Sequence, residues 1–241
     1  MSVRPEHRQQ AHRVRLEWGV EGAALLAAEC AAVVVVDVLS FCTAVDVAVG
    51  RGASVLPQRG SSAGAVDEAA ARAAGAEPAA DRRGPGPSLR PSSLVGLAPG
   101  TRLALASPNG ATLCAAVGPG VALFAGCLRN ASAVAAALRE VDGPVGLVPA
   151  GERWPDGAMR VAVEDALGAG AIAAALDDRS PEADAAVDLF LAARARGLRG
   201  VLGRLASGLE LEADGFGADV DLAAELDASG TAPRRVDGFL A

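Results

Sequence analysis

Short apolar runs alternate with alanine-rich segments of helical length along most of this 241-residue chain. The clearest run is a set of four consecutive valines that ends at Val36, directly before Asp37. A continuous apolar run of this length is typical of a strand buried on both faces, as in a parallel sheet covered by helices. The alternation therefore predicts an α/β fold with a mainly parallel or mixed sheet flanked by helices.

The predicted elements follow one another closely, with one long interruption. Residues 81–100 are rich in Pro, Gly and Ser and predict an extended loop. With 51% hydrophobic residues, we expect a single α/β domain over 1–241. The tail over about 181–241 either packs on the sheet or forms a small C-terminal subdomain. Strands are predicted at 33–38 and 53–58, and at the starts of the segments 101–117, 121–140 and 145–154. Helices are predicted at 43–52, 61–75, 160–176 and 182–196, and at the ends of the segments 101–117 and 121–140.

Charge and hydropathy argue against two classes of partner. The net charge is −7 and all 22 basic residues are Arg, whereas non-specific nucleic-acid binding requires a basic face. No apolar run of membrane-spanning length lacks charged residues, so no membrane span is expected. Residues 1–19 are polar and unlike a signal peptide, so we expect a cytoplasmic protein. Its expected partner is a small molecule, and alanine-rich helix faces would permit a homodimer.

Several common catalytic sites are excluded by what the sequence lacks. The only histidines, His7 and His12, lie near the start of the sequence. The loops that follow the predicted strands therefore have no His base for a Ser-His-Asp triad and no His ligand for zinc. A Walker loop requires a lysine, and a dithiol site requires a C-x-x-C pair. Asp37 is followed by Val38 and Leu39, so the Asp-x-Asp of haloacid-dehalogenase-type phosphatases is absent. The fragment "GAGAIA" at 168–173 matches a nucleotide-binding pattern weakly, and close helix packing explains it equally well.

Polar residues follow the predicted strands, where open α/β sheets bind their ligands. They combine hydroxyl and amide groups, one guanidinium and several carboxylates, which suits an anionic ligand held beside a hard cation. The set comprises Asp37, Ser40, Cys42, Thr43, Ser107, Asn109, Gly110, Cys127, Arg129, Asn130, Glu152, Glu164 and Asp165.

Two of these loops precede predicted helices, whose first N–H groups can bind an anion. The "SPNG" loop predicts either such an anion site or an ordinary turn in which Asn109 caps the helix. Arg129 lies at the start of its helix, where a cation opposes the helix dipole. A bound phosphate or sulfonate would remove that conflict, although an Arg that reaches solvent explains it too. Asn130 is a predicted N-cap.

A magnesium site is predicted from the carboxylates. Mg²⁺ prefers oxygen ligands and usually takes one or two carboxylates plus waters, so Asp37 with Glu164 or Asp165 would suffice. Adjacent residues diverge by about 100° on a helix, so both acids can face one ligand only from a loop or a first helical turn. The alternative is that the two acids simply favour a helix N-terminus.

Taken in order, six segments resemble the 2-phosphosulfolactate phosphatase family: "VVVVDVLSFCTAV", "GASVLPQ", "SPNGATL", "GCLRNASAVA", "GLVPAGE" and "VEDALGAGAI". The resemblance covers about 30–176 and continues more weakly to 221. It implies a family-specific α/β fold and a Mg²⁺-dependent acid phosphatase that converts 2-phospho-3-sulfolactate to 3-sulfolactate and phosphate, on the route to coenzyme M. The positions that match are Asp37, Thr43, Asn109, Gly110, Asn130, Gly151 and Asp165.

The chain departs from the family at Ser40, where an Arg is usual, and at 88–93, where "SLRPSS" replaces a "GNSP" type motif. Arg90 could supply the missing positive charge from that loop. The resulting hypothesis is a hydrolase that acts on a small phosphorylated acid, and a non-catalytic binding protein is the alternative.

In this hypothesis Asp37, Glu164 and Asp165 form the catalytic and metal-binding group. Ser40, Cys42 and Thr43 are candidates for a covalent intermediate. The expected substrate-binding residues are Ser40, Thr43, Arg90, Ser107, Asn109, Gly110, Arg129, Asn130, Gly151 and Glu152.

Overall fold

The structure is a computed structural model, and it describes residues 4–60 and 65–241. The start of the helix predicted at 61–75 lies outside the described residues. The strands are β1 (Val14–Leu16), β2 (Ala32–Val36), β3 (Ser54–Arg59), β4 (Glu77–Pro78), β5 (Arg102–Ser107), β6 (Ala122–Gly126), β7 (Val145–Pro149), β8 (Glu152–Arg153), β9 (Met159–Arg160), β10 (Arg235–Val236) and β11 (Phe239–Leu240). The helices are α1 (Gly19–Ala27), α2 (Phe41–Gly50), α3 (Glu68–Ala73), α4 (Gly110–Ala116), α5 (Ala131–Arg139), α6 (Val163–Ala173), α7 (Pro181–Ala195), α8 (Leu198–Leu202), α9 (Ala206–Ala213) and α10 (Gly217–Ala223).

The valine run forms the centre of a parallel sheet, as predicted. The strand order is β1-β7-β2-β6, and every neighbouring pair is parallel. All five residues of β2 are buried, as expected of a strand with helices on both faces. At its carboxyl end, Val36 lies opposite Gly126 of β6 and Pro149 of β7. The residues that follow these three strands therefore meet at one edge of the sheet.

A second sheet makes the fold mixed. Its order is β10-β11-β3-β5-β4, in which β3, β5 and β4 are parallel while β11 runs antiparallel to β3. The strand predicted at 53–58 thus belongs to a different sheet from the valine strand. Arg59 lies opposite Ser107, so the loops after β3 and β5 also leave from a common edge. The sequence pattern predicted neither the short β1 nor α1, although both are well buried.

The helix predicted at 182–196 is α7, and Ser180 caps it by accepting a hydrogen bond from the Ala183 N–H at 3.2 Å. Beyond α10 the chain returns to both sheets. The Ala125 N–H donates to the Pro233 carbonyl at 3.0 Å, and Leu240 pairs with Val55 of β3. The end of the tail therefore packs on the sheets. Among the described residues, no helix has the length and hydropathy needed to cross a membrane.

Small side chains, rather than large aromatic ones, lie where the helices pack against each other and against the sheet. The "GAGAIA" fragment lies inside α6, away from any strand-to-helix turn, and packs against α7 and β2. A Cβ added at Gly168 would lie 2.7 Å from Val38 Cγ2, and one added at Gly170 would lie 2.0 Å from the Ala186 carbonyl oxygen. The nucleotide-binding interpretation of this fragment is therefore wrong, and close helix packing explains it.

This packing makes Gly170→Ala destabilising. The added methyl group would push α6 away from α7, and overpacking of this kind costs about 1–3 kcal/mol. Gly200→Ala is the matched control, because Gly200 is helical and has open space around it; it should gain about 0.4–1 kcal/mol. Thermal unfolding of both variants measures the contrast. Equal melting temperatures for the two variants would contradict the close approach.

Candidate active site

Asp37 joins the ends of the two sheets. Its Oδ1 accepts the Phe41 N–H at 3.1 Å, within the loop after β2, and its Oδ2 accepts the Gly110 N–H at 2.8 Å, at the start of α4. The side chain is buried, with only 5% of the residue exposed. A Cβ at position 110 would lie 2.6 Å from Asp37 Oδ2, so only glycine allows this approach. The acid that ends the valine strand is thus a buried link between loops.

Asp165 makes a parallel connection inside the first sheet. It lies in the first turn of α6, one of the two placements from which the sequence analysis allowed Glu164 and Asp165 to face one ligand. Its Oδ1 accepts the Val38 N–H at 2.8 Å. Its Oδ2 accepts the Gly151 N–H at 2.9 Å. Asp165 therefore ties the loop after β2 to the loop after β7. Gly151 has φ of +70°, a conformation that favours glycine.

Glu164 is buried with 3% of the residue exposed and lies beside Asp165 in the same helical turn. The described residues give its side chain neither a hydrogen bond nor an ion pair. Its charge nevertheless raises the pKa of Asp37 and of Asp165, so the three carboxylates repel one another. An added cation among these negative charges would therefore be stabilising.

Glu152 extends this acidic group from β8. Its Oε2 accepts a hydrogen bond from Asn109 Nδ2 at 2.9 Å. Burial raises the pKa of Glu152 above its usual value, Asn109 partly offsets the shift, and the charge of Glu164 adds to it. The hydrogen bond connects the "SPNG" loop of the second sheet to the β8–β9 hairpin that follows the first sheet. Two candidates from distant loops are thus in direct contact.

The pKa values of the two linking aspartates are raised as well. Burial, followed by repulsion from Glu152, raises the pKa of Asp37 to about 6, although its two backbone hydrogen bonds oppose the shift. Burial and the charges of Asp37 and Glu164 raise the pKa of Asp165 well above its usual value. Perturbed groups of this kind cluster at functional sites. Added positive charge nearby would favour their ionised forms.

A cavity of about 480 Å³ opens next to Asp37 and Glu152, whereas Glu164 and Asp165 do not line it. Its wall includes Ser107 and Asn109 from the second sheet, and Leu39 and Leu105 form apolar surface. Arg82 is the sole basic residue that the described part of the chain contributes to the wall. The acidic residues that line the cavity are Asp37, Glu68, Asp81, Glu152 and Glu210.

Several predicted donors have structural roles instead. The Gly110 N–H is taken by Asp37 and the Gly151 N–H by Asp165, so neither is free for phosphate. The Thr43 hydroxyl donates to the Val38 carbonyl at 2.7 Å and is fully buried. These groups shape the loop that carries Asp37, and the structure corrects their predicted contact with substrate.

Asn130 is also enclosed by its own loop. Its Oδ1 accepts the Cys127 N–H at 2.9 Å, and its amide donates to the Ala125 carbonyl at 3.3 Å. It does not cap α5 with its side chain; the carboxylate of Asp227 accepts the Ser132 N–H there at 2.7 Å. The predicted phosphate contact of Asn130 is therefore wrong, because the residue is fully buried away from the cavity.

Arg129 faces away from the acidic cavity. Its Nε donates to the fully buried Asp46 at 2.9 Å, and its Nη1 pairs with Glu225. These carboxylates, rather than a bound phosphate, neutralise the cation. The predicted role of Arg129 in binding the substrate's second anion is thus corrected to a structural ion pair.

The positive charge near Ser40 comes from Arg82, which the sequence interpretation missed. Arg82 Nη2 donates to Ser40 Oγ at 2.7 Å. Arg90 instead stacks over Phe216, with its guanidinium carbon 5.2 Å from the ring centroid, and does not line the cavity. The sequence analysis expected the loop over 81–100 to supply this charge, which is correct, but it assigned the charge to Arg90 instead of Arg82. The adjacent arginines at 82 and 83, in a loop otherwise rich in Gly and Pro, were the available signal.

The acidic group fits a magnesium ion that is only partly held by protein. Among the residues that the structure describes, no group of three His, Cys, Asp or Glu side chains is placed to hold a metal ion, so protein carboxylates alone would not complete the site. Asp37 and Asp165 use their oxygens for backbone N–H groups but retain further lone pairs. Mg²⁺ is usually bound by one or two carboxylates together with water and substrate phosphate. Carboxylates beside an open cavity match that pattern.

Together, the fold and the cavity define an α/β enzyme with an acidic site at the ends of its parallel strands. Residues 25–238 match the model of a family described as 2-phosphosulpholactate phosphatase. The chain therefore belongs to the 2-phosphosulpholactate phosphatase family, a family of phosphatases, as its sequence motifs predicted. A search of curated protein sequences finds no match.

The unpaired Glu164 gives a test of the site. Glu164→Gln removes repulsion from Asp37 and Asp165, so the metal-free protein should gain about 1 kcal/mol and melt about 2–4 °C higher. Mg²⁺ binding, measured by calorimetry, should weaken by at least about 10–100-fold. Glu140→Gln, at an exposed position, is the control and should change neither quantity. A lower melting temperature with unchanged Mg²⁺ affinity would contradict the assignment of Glu164 to the cation site.

Proposed function

We propose that this protein is a Mg²⁺-dependent phosphate monoester hydrolase that acts on a small phosphorylated acid. The proposed reaction converts 2-phospho-3-sulfolactate to 3-sulfolactate and phosphate. Membership of the phosphatase family supports the reaction class. The observation that carries the metal dependence is the group of buried, mutually repelling carboxylates around Asp37 beside an open cavity.

The charge of the cavity explains why a cation is required. The described residues contribute five carboxylates and one guanidinium to its wall, so a phosphate ester meets a net negative surface. Two unit charges 4 Å apart interact by about 4 kcal/mol at the effective dielectric constant of a protein surface. A divalent cation held by these acids would supply the positive charge that attracts the phosphoryl group. Asp37 with Glu164, Asp165 or both would hold the ion, which when bound would polarise a phosphoryl oxygen and activate or orient a water.

The chain's own residues would place and protonate the substrate. The Ser107 hydroxyl and the Asn109 amide line the cavity and would donate to phosphoryl oxygens. Glu152, held by the same Asn109, lies where it could exchange a proton with the attacking water or the leaving oxygen. The pKa of Glu152 is raised toward neutral pH, and a pKa near the working pH favours general acid–base catalysis. Among the described residues that line the cavity there is no histidine to share this role.

Two of the three candidates for a covalent intermediate are unsuited to that role, which leaves Ser40, whose hydroxyl lies in the cavity wall and accepts a hydrogen bond from Arg82. Cys42 is fully buried, its Sγ donates to the Val35 carbonyl at 3.2 Å, and burial raises its thiol pKa well above the usual value. Thr43 is buried with its hydroxyl engaged. Neither can act as a ready nucleophile. The chain's four cysteines are free and buried, which supports our proposal of a reducing, cytoplasmic location.

Phosphate release separates hydrolysis from simple binding. Purified protein should release phosphate from 2-phospho-3-sulfolactate in the presence of Mg²⁺, and this release should stop when a chelator is added. The competing candidate, a binding protein without turnover, is favoured by Ser40 at the family's usual Arg position. If calorimetry detects 3-sulfolactate binding but no ester in a panel of phosphorylated acids is hydrolysed, the hydrolase proposal fails and the binding role stands.

Glu152→Gln tests the proton-transfer step. Glutamine keeps the shape of the side chain and its contact with Asn109, but it cannot carry a proton. We expect kcat to fall by about 10²–10⁴-fold, with the melting temperature unchanged or slightly higher. Glu68→Gln is the control, because Glu68 lines the cavity but is exposed and paired with Arg72 at 2.8 Å. Equal kcat for Glu152→Gln and wild type would remove Glu152 from the mechanism.

A further inference from the structure

We propose that Arg82 binds a second acidic group of the substrate, a sulfonate or carboxylate, and so selects doubly acidic phosphate esters. This inference rests on the proposed hydrolase function and deepens it. Arg82 lines the cavity, and its Nη2 donates to Ser40 Oγ at 2.7 Å. It is the basic residue that the described wall of the cavity offers to an anion.

The guanidinium of Arg82 has unused hydrogen-bonding capacity. Within the described chain it pairs with no carboxylate, and its buried Nε has no hydrogen-bond partner. The one bond to Ser40 leaves most of its five N–H groups without an acceptor. A buried donor without an acceptor costs free energy, and a planar acid group would satisfy it with two parallel hydrogen bonds.

Ser40 and Phe216 hold this guanidinium at the cavity. Ser40 is buried, with 3% exposed, so its hydroxyl is a fixed acceptor. On the other side, the guanidinium carbons of Arg82, Arg83 and Arg90 lie 5.9, 5.8 and 5.2 Å from the centroid of the Phe216 ring. Arg83 is paired with Asp214, and neither Arg83 nor Arg90 lines the cavity, so the contact with Phe216 serves to hold the Arg82 guanidinium in place.

The two ends of the cavity are close enough for one small molecule. Ser40, the partner of Arg82, precedes Phe41, whose N–H donates to Asp37 Oδ1 at 3.1 Å. The acidic metal-binding end and the basic end therefore share a single short loop. Asp37 and Arg82 line the same cavity of about 480 Å³, so a phosphoryl group near Asp37 and a second acid near Arg82 can belong to one small molecule. The chemical class selected is a short phosphate monoester with a sulfonate or carboxylate.

Substrate preference tests this inference. We would measure kcat/KM with Mg²⁺ for 2-phospho-3-sulfolactate, which carries additional acid groups, and for isopropyl phosphate, which carries none. Arg82→Gln should lower kcat/KM for the first by about 10–100-fold, mainly through KM, and leave the second within about twofold. Arg83→Gln is the matched control, since Arg83 is 66% exposed and pairs with Asp214 at 2.7 Å; it should behave as wild type.

Arg82→Lys separates charge from geometry. It keeps the charge but loses the planar fork, so its kcat/KM should fall between wild type and Arg82→Gln. An equal loss on both esters in Arg82→Gln and Arg82→Lys would overturn the inference, as would no loss on either.

A binding measurement distinguishes failure of this inference from failure of the proposed function. Calorimetry with 3-sulfolactate, which has no phosphate to release, should show about tenfold or greater weakening in Arg82→Gln relative to wild type and Arg83→Gln. If wild type hydrolyses no ester but this contrast persists, the hydrolase proposal is wrong and Arg82 still binds the acid. Equal affinities in all three proteins would reject the role of Arg82 whether or not hydrolysis occurs.

Discussion

The two hydrogen bonds that Asp37 accepts are the constraint on which the rest of the site depends. One oxygen holds the loop after β2, and the other holds the start of α4, which follows the second sheet. A glycine at position 110 is required for the second contact because any side chain would collide with the carboxylate. The same buried acid thus fixes the relative position of Ser40 on one loop and Ser107 on another, and through them the width of the cavity.

The burial of several acids together opposes stability and serves function. Asp165 is compensated by two backbone N–H groups, whereas Glu164 receives no such contact from the described residues. Repulsion within the group raises the pKa of both aspartates. The metal-free site therefore stabilises the folded protein less than an apolar core of the same volume would. In our proposal a divalent cation provides the missing compensation and carries a phosphate ester into a cavity that would otherwise repel it.

Local sequence was enough for some parts of this account and insufficient for others. The valine run predicted a buried parallel strand because its pattern is local. The adjacent acids Glu164 and Asp165 left a loop or a first helical turn open, and the structure places them in a first helical turn. Arg129 was misassigned because its partner Asp46 lies 83 positions away in the chain, and a helix-dipole argument cannot supply such a partner. Arg82 was missed for the same reason: its contact with Ser40, 42 positions away in the chain, depends on how the long segment between β4 and β5 folds.

The central claim is that the acidic cavity accepts a phosphate group only together with a divalent cation. Its most direct measurement is the affinity of the wild-type protein for orthophosphate, determined by calorimetry at pH 7.5 with saturating Mg²⁺ and again with a chelator. Our account predicts binding at least about 100-fold tighter with Mg²⁺, a difference of about 2.7 kcal/mol. Equal affinity for orthophosphate in the chelator would contradict it, because the carboxylates around Asp37 would then not govern entry of the anion.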